Sequence, residues 1–151
     1  MKLIDYLARK LKDGEVVALL EKYDVDVIYR FDRLMENMPD QFTAPARGAG
    51  FELCFDEAQI LRTVFCYLEP RDGFSAVDPE SIGAPVFESI SEAKAGAARL
   101  GVTFSHRDNM EFLGRQLSWV SFALEGQKVH YQFSPKGLSI VTLSCLNPGF
   151  F

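Results

Sequence analysis

The chain has 151 residues, 48% of them hydrophobic and 25% charged, a balance that suits one globular domain and excludes a disordered one. Sixteen Lys and Arg face 21 Asp and Glu, a net charge of −5, and no basic stripe stands ready to neutralise phosphates, so a nucleic-acid binder is not expected. Three cysteines, Cys54, Cys66 and Cys145, make an odd number and fall in strand-like segments, the usage of reduced, core-filling thiols in a reducing cytoplasm rather than of a disulfide framework.

Residues 2–23 read as two short helices or one bent one. Leu3, Leu7 and Leu11 recur at helical spacing, and after Asp13-Gly14 the positions Val16, Leu19, Leu20 and Tyr23 form an amphipathic stripe. Asp13 fits as the N-cap of the second piece. Asp5, Arg9, Lys10 and Lys12 interrupt the apolar residues, so no secretory leader is expected, and no apolar run approaches the roughly 20 residues of a membrane span. The expectation is a cytoplasmic protein.

Val25, Val27, Tyr29 and Phe31 alternate with polar or apolar neighbours as a short edge strand. The following FDRLMENMPDQFTAPARGAG, punctuated by Pro39, Pro45, Gly48 and Gly50, reads mostly as loop. It mixes Phe31, Met35, Met38 and Phe42 with Asp32, Glu36 and Asp40, and Asp24 and Asp26 stand just before it. Aromatic and Met side chains beside acids form a candidate binding surface; the same apolar residues would also serve to cover a sheet edge.

A central hairpin is expected over 50–69. Phe51, Leu53 and Phe55 alternate with Glu52, Cys54 and Asp56, a turn follows at Asp56-Glu57-Ala58-Gln59, and Ile60 to Leu68 returns as a second strand. Glu69 to Phe87, rich in Pro and Gly, reads as an irregular crossing. Ser89-Ile90-Ser91-Glu92 is a capping box for a narrow, Ala-rich helix over 90–100 that stops at Gly101. Val102 and Phe104 form a short apolar piece, and Ser105 to Gln116 reads as a polar loop. Residues 118–146 form an antiparallel meander with turns at Gly126-Gln127 and Ser134-Pro135-Lys136-Gly137. Trp119 is out of phase with Val120, Phe122 and Leu124, so it points to the other face; it serves there as an interface anchor or packs under the Ala-rich helix. The order of elements predicts one domain over 1–151 of class α+β: a single curved antiparallel sheet with helices packed on one face.

No motif marks a reaction. Cys54 or Cys66 with His130 lacks a nucleophile elbow, and buried structural cysteine is the stronger reading. His106 and His130 stand 24 residues apart without ligand spacing, so no metal is expected, and no cofactor motif is present. Gly48-Ala49-Gly50 precedes a strand, not a helix, and lacks the geometry of a phosphate loop.

Over residues 50–146 the chain resembles immunity proteins encoded beside polymorphic or contact-dependent bacterial toxins. The matching pieces are Phe55-Asp56, Thr63 to Tyr67, Gly83-Ala84-Pro85 and Val141-Thr142-Leu143; where those chains carry a run like GELP, Ser75-Ala76-Val77-Asp78 stands here. The resemblance implies a BamE-like or β-lactamase-inhibitor-like layout and a non-enzymatic protein that neutralises a cognate toxin by covering its active site. The partner-binding residues expected on that basis, together with charge, are Asp24, Asp26, Asp32, Glu36, Asp40, Phe42 and Trp119. A net-negative surface suits a basic partner, because charge complementarity speeds association. Two other expectations stand beside this one: a small-ligand or regulatory domain with a pocket on the concave sheet, and an enzyme built on Cys66, His130 and nearby acids.

Overall fold

A computed structural model describes residues 1–31 and 37–146. Eight strands form one antiparallel sheet in the order β1-β2-β3-β4-β8-β7-β6-β5. The strands are β1 (Ile28–Arg30), β2 (Gln41–Ala46), β3 (Phe51–Phe55), β4 (Leu61–Tyr67), β5 (Phe104–Phe112), β6 (Arg115–Leu124), β7 (Gln127–Ser134) and β8 (Gly137–Cys145). The α-helices among the described residues are α1 (Gly14–Lys22) and α2 (Ile90–Arg99), of nine and ten residues. The expected single sheet is present, but the α+β class is overturned: strands dominate and the fold is largely β.

Two loops in the sequence reading are strands, and each has a physical reason for having been hidden. Gln41 to Ala46 pairs with both β1 and β3 despite Pro45. β1 runs alongside only as far as Thr43, so the outer edge of β2 at Pro45 has no strand beside it, and the amide hydrogen that proline lacks is not needed there. Phe104 to Phe112 forms β5, the far edge, most of whose side chains are exposed; with little to bury, it shows no clear apolar alternation. Its polar residues were therefore indistinguishable from loop.

One face of the sheet carries the core. Phe51, Leu53 and Phe55 of β3 pair with Cys66, Val64 and Leu61 of β4, and Val64 and Cys66 pair in turn with Leu143 and Val141 of β8. Val129 and Tyr131 of β7, then Phe122 and Val120 of β6, continue this face, and all of these residues are buried. Each such side chain contributes about 1.5–3 kcal/mol by leaving water.

The covering layer is built from the helices and the long crossing. The carboxylate of Asp13 caps α1 by accepting the Glu15 N–H at 2.9 Å, and Tyr23 beyond the helix end meets Phe51 edge-on at 5.4 Å. Residues 8–11 hydrogen-bond to the start of β4 and to its turn, with Ala8 N–H donating to Leu61 O at 2.8 Å. The crossing passes so close to Gly50 that a Cβ there would lie 2.4 Å from Ser75 O and Val77 N, and the +78° φ of Gly50 is also one that glycine tolerates best. Ser89 accepts the Glu92 N–H at 3.1 Å and starts α2 as its sequence predicts. Gly96 on that helix leaves the space the Phe87 ring fills: a Cβ would sit 2.4 Å from the ring edge. Phe87 then packs on Tyr131 at 5.2 Å, and the Tyr131 hydroxyl donates to Pro85 O at 2.8 Å, so this buried phenol is paired.

Candidate functional site

Among the described residues, two surfaces bring aromatic rings together with polar groups outside the core. The first is the β1 edge. Tyr29 and Phe31 are 50% and 52% exposed, their rings stacked at 6.0 Å, and Val27, Ile28 and Met38 are exposed nearby in the chain. Tyr29 lies directly across from Phe42, ring to ring at 5.0 Å, and its hydroxyl donates to the Asp40 carboxylate at 2.5 Å. That hydrogen bond to a carboxylate, joined by local desolvation, raises the Tyr29 phenol above its ordinary pKa. Asp24, in a left-handed conformation with φ +51°, and Asp26 are exposed in the turn that joins α1 to β1. Aromatic rings of low conformational entropy and several carboxylates therefore share one end of the sheet.

The sequence-predicted residues divide accordingly. Asp24, Asp26, Asp40 and Phe42 fall at this edge, Phe42 as a half-buried member of the core face and not as a free surface ring. Asp32 and Glu36 lie outside the described residues. Trp119 is elsewhere: β6 is six strands from β1, roughly 29 Å at about 4.8 Å per strand. The seven residues do not form one patch. What sequence reasoning undervalued is Tyr29, which it read as strand and not as the ring that joins Asp40, Phe31 and Phe42.

The second surface is the sheet face opposite the core. Register places Tyr67, Ile140, Gln132, Trp119 and Arg107 in one row across β4, β8, β7, β6 and β5. Phe65, Thr142, His130 and Ser121 form the next row. Trp119 thus faces away from Val120 and Phe122 as its phase predicts, and it does not pack under α2, whose buried Ala93, Gly96 and Ala97 turn to the core side. Its indole meets the His130 ring at 5.2 Å. Burial in this row, with a smaller effect from the charge of Lys128, lowers the His130 pKa below its ordinary value.

Two of the three thiols show the opposite of activation. Burial pushes both Cys54 and Cys66 up to about 12, so neither presents a thiolate near neutral pH. Cys66 lies on the core face and His130 on the other face of the sheet, so the two do not meet as a nucleophile and base. His106 Nδ1 lies 3.0 Å from Asp108, which also takes the Lys94 ammonium at 2.8 Å, an exposed ion-pair cluster at the β5 edge. Among the described residues no group of three or more His, Cys, Asp and Glu is arranged to hold a metal ion, and no helix is long and apolar enough to cross a membrane. Comparison with known proteins returned no matching family, no matching characterised protein and no matching solved structure.

Proposed function

We propose that this chain is a non-catalytic cytoplasmic binding protein that neutralises a basic protein partner, a cognate toxin, by covering its active site. The observation that carries the reading is the β1 edge, where exposed Tyr29 and Phe31 stand with Asp24, Asp26 and Asp40. Aromatic rings anchor protein interfaces, and flanking carboxylates steer a basic partner and reject an acidic one. The net charge of −5 acts in the same direction at longer range. The likeness of residues 50–146 to immunity proteins supplies the partner class.

The test is co-expression with the protein encoded beside this chain. The expected result is rescue of growth and a complex that survives size exclusion. Tyr29→Ala should weaken the complex by about 2 kcal/mol as a central aromatic anchor. Asp24→Lys with Asp26→Lys should slow association and reduce its salt dependence, with melting unchanged. Neither rescue nor complex formation would overturn the reading; a complex indifferent to all three substitutions would move it off this edge.

A further inference from the structure

The β5–β6 hairpin is longer than the strand beside it. Arg115, Gln116 and Leu117 pair only with β5, and pairing with β7 begins at Ser118 opposite Phe133. The overhang, the chain leaving β4 at Glu69 to Arg71, and the β7–β8 turn at Ser134 and Pro135 border an open cavity of about 580 Å³. That volume lies within the range of roughly 300–1,000 Å³ common to small-molecule sites.

Its polar groups are unevenly satisfied. Glu69 is engaged, accepting from the Ser134 hydroxyl at 2.5 Å. Arg71 is held loosely, with Nε 3.4 Å from the exposed Asp72 carboxylate and its guanidinium 5.8 Å from the Tyr67 ring. Among the described residues, the Arg115 guanidinium makes no hydrogen bond or ion pair, and the side-chain amides of Gln116 and Gln132 also have no partner. In a chain of net charge −5, a guanidinium without a carboxylate on a concave wall is a group left available for an anion.

We infer that this cavity binds a small polar molecule through an oxyanion, a carboxylate or a phosphate. Arg115 takes the anionic group, since its planar fork matches two oxygens at once. Arg71 adds a second positive charge, the Gln116 and Gln132 amides hydrogen-bond the polar remainder, and Leu117 supplies an apolar wall. This site is separate from the β1 edge, at the opposite half of the sheet.

Isothermal titration of the full chain in a zwitterionic buffer at low chloride, with citrate, gluconate and inorganic phosphate as probes, tests it. At least one probe should bind with submillimolar affinity. Arg115→Gln should weaken that binding by about tenfold or more, and Arg115→Lys, which keeps the charge but loses the fork, by less. Arg99→Gln on α2, outside the cavity, should leave it unchanged. Binding of citrate or gluconate alone assigns a carboxylate, and binding of phosphate alone assigns a phosphate. No heat with any probe, or equal loss in Arg115→Gln and Arg99→Gln, overturns the inference. Arg115 is exposed and makes no core contact, so its variants should melt with the wild type. Growth rescue by Arg115→Gln should also be unaffected, which keeps failure here distinct from failure at the β1 edge.

Discussion

The carboxylate of Asp56 closes the β3–β4 turn by accepting three donors: the Ala58 N–H at 2.9 Å, the Ile60 N–H at 3.0 Å and Arg62 Nε at 2.7 Å. Gln59 between them takes a left-handed φ of +64°, so the turn relies on side-chain hydrogen bonds to hold its shape. Partial burial alone would raise the Asp56 pKa, but these donors prevail and hold it below the ordinary carboxylate value. Asp56→Ala should therefore cost about 2 kcal/mol near neutral pH, read by urea denaturation, because two amides and a guanidinium lose a charged acceptor. The sign with pH follows from the lowered pKa. The contribution is complete above the ordinary value of about 3.9 and is lost as pH falls through the depressed one, so the gap between wild type and variant should close in strong acid. A gap independent of pH would mean that the carboxylate's charge does not matter.

At the scale of elements, the β5–β6 turn departs from its local preference. Leu113 and Gly114 take φ of +51° and +77°, both central positions of a two-residue hairpin turn left-handed, yet Leu113 has a large side chain and is 87% exposed. Leu113→Asn should stabilise the chain by about 0.5–1 kcal/mol, since Asn-Gly is the favoured pair for this turn and no buried contact is lost. A fall in the urea midpoint would instead show that the leucine makes a contact the hairpin needs. The same elements show what a sequence reveals. The 50–69 hairpin and the 118–146 meander were legible because Phe51, Leu53, Phe55 and Val129, Tyr131, Phe133 are buried on one face only, which imposes a period of two. β5 was not, because an edge strand with both faces near water has no such constraint. β2 was not, because Pro45 signals a break unless the strand next to it is known to have ended. Trp119's direction was readable from phase, whereas the grouping of Tyr29 with Asp40 required knowing that β1 pairs with β2. The cavity was invisible for a stronger reason: its walls come from residues near 70, 116 and 134, which share no period and meet only through the sheet order.

In the molecule as a whole, the last strand is the joint. β1 to β4 and β5 to β8 each pair in sequence order, but within the sheet the two sets meet only where β8 lies against β4. The core runs across that joint without interruption: Cys66 opposite Val141, Val64 opposite Leu143, and then Tyr131 opposite Val141 on the far side, all buried. Val64 and Cys66 of the first half pack against Leu143 and Val141 of the second, so β1 to β4 lack part of their core without β8. The pairing also brings residues some 75 apart in sequence together, as Cys66 and Val141 show, which favours slow, all-or-none formation over assembly in parts. Trp119, the chain's single tryptophan, lies on β6 and reports the second half, while far-UV circular dichroism reports the whole sheet. In urea the two signals should therefore fall together in one transition. Val64→Asp on β4, opposite Leu143, places a charge in the fully buried joint from the first half, a cost of several kcal/mol that a marginally stable domain does not absorb, so both native signals should vanish at once. If the variant kept native Trp119 emission while the dichroism fell, the β5–β8 meander would be a unit that folds alone, and the joint would link two domains instead of completing one.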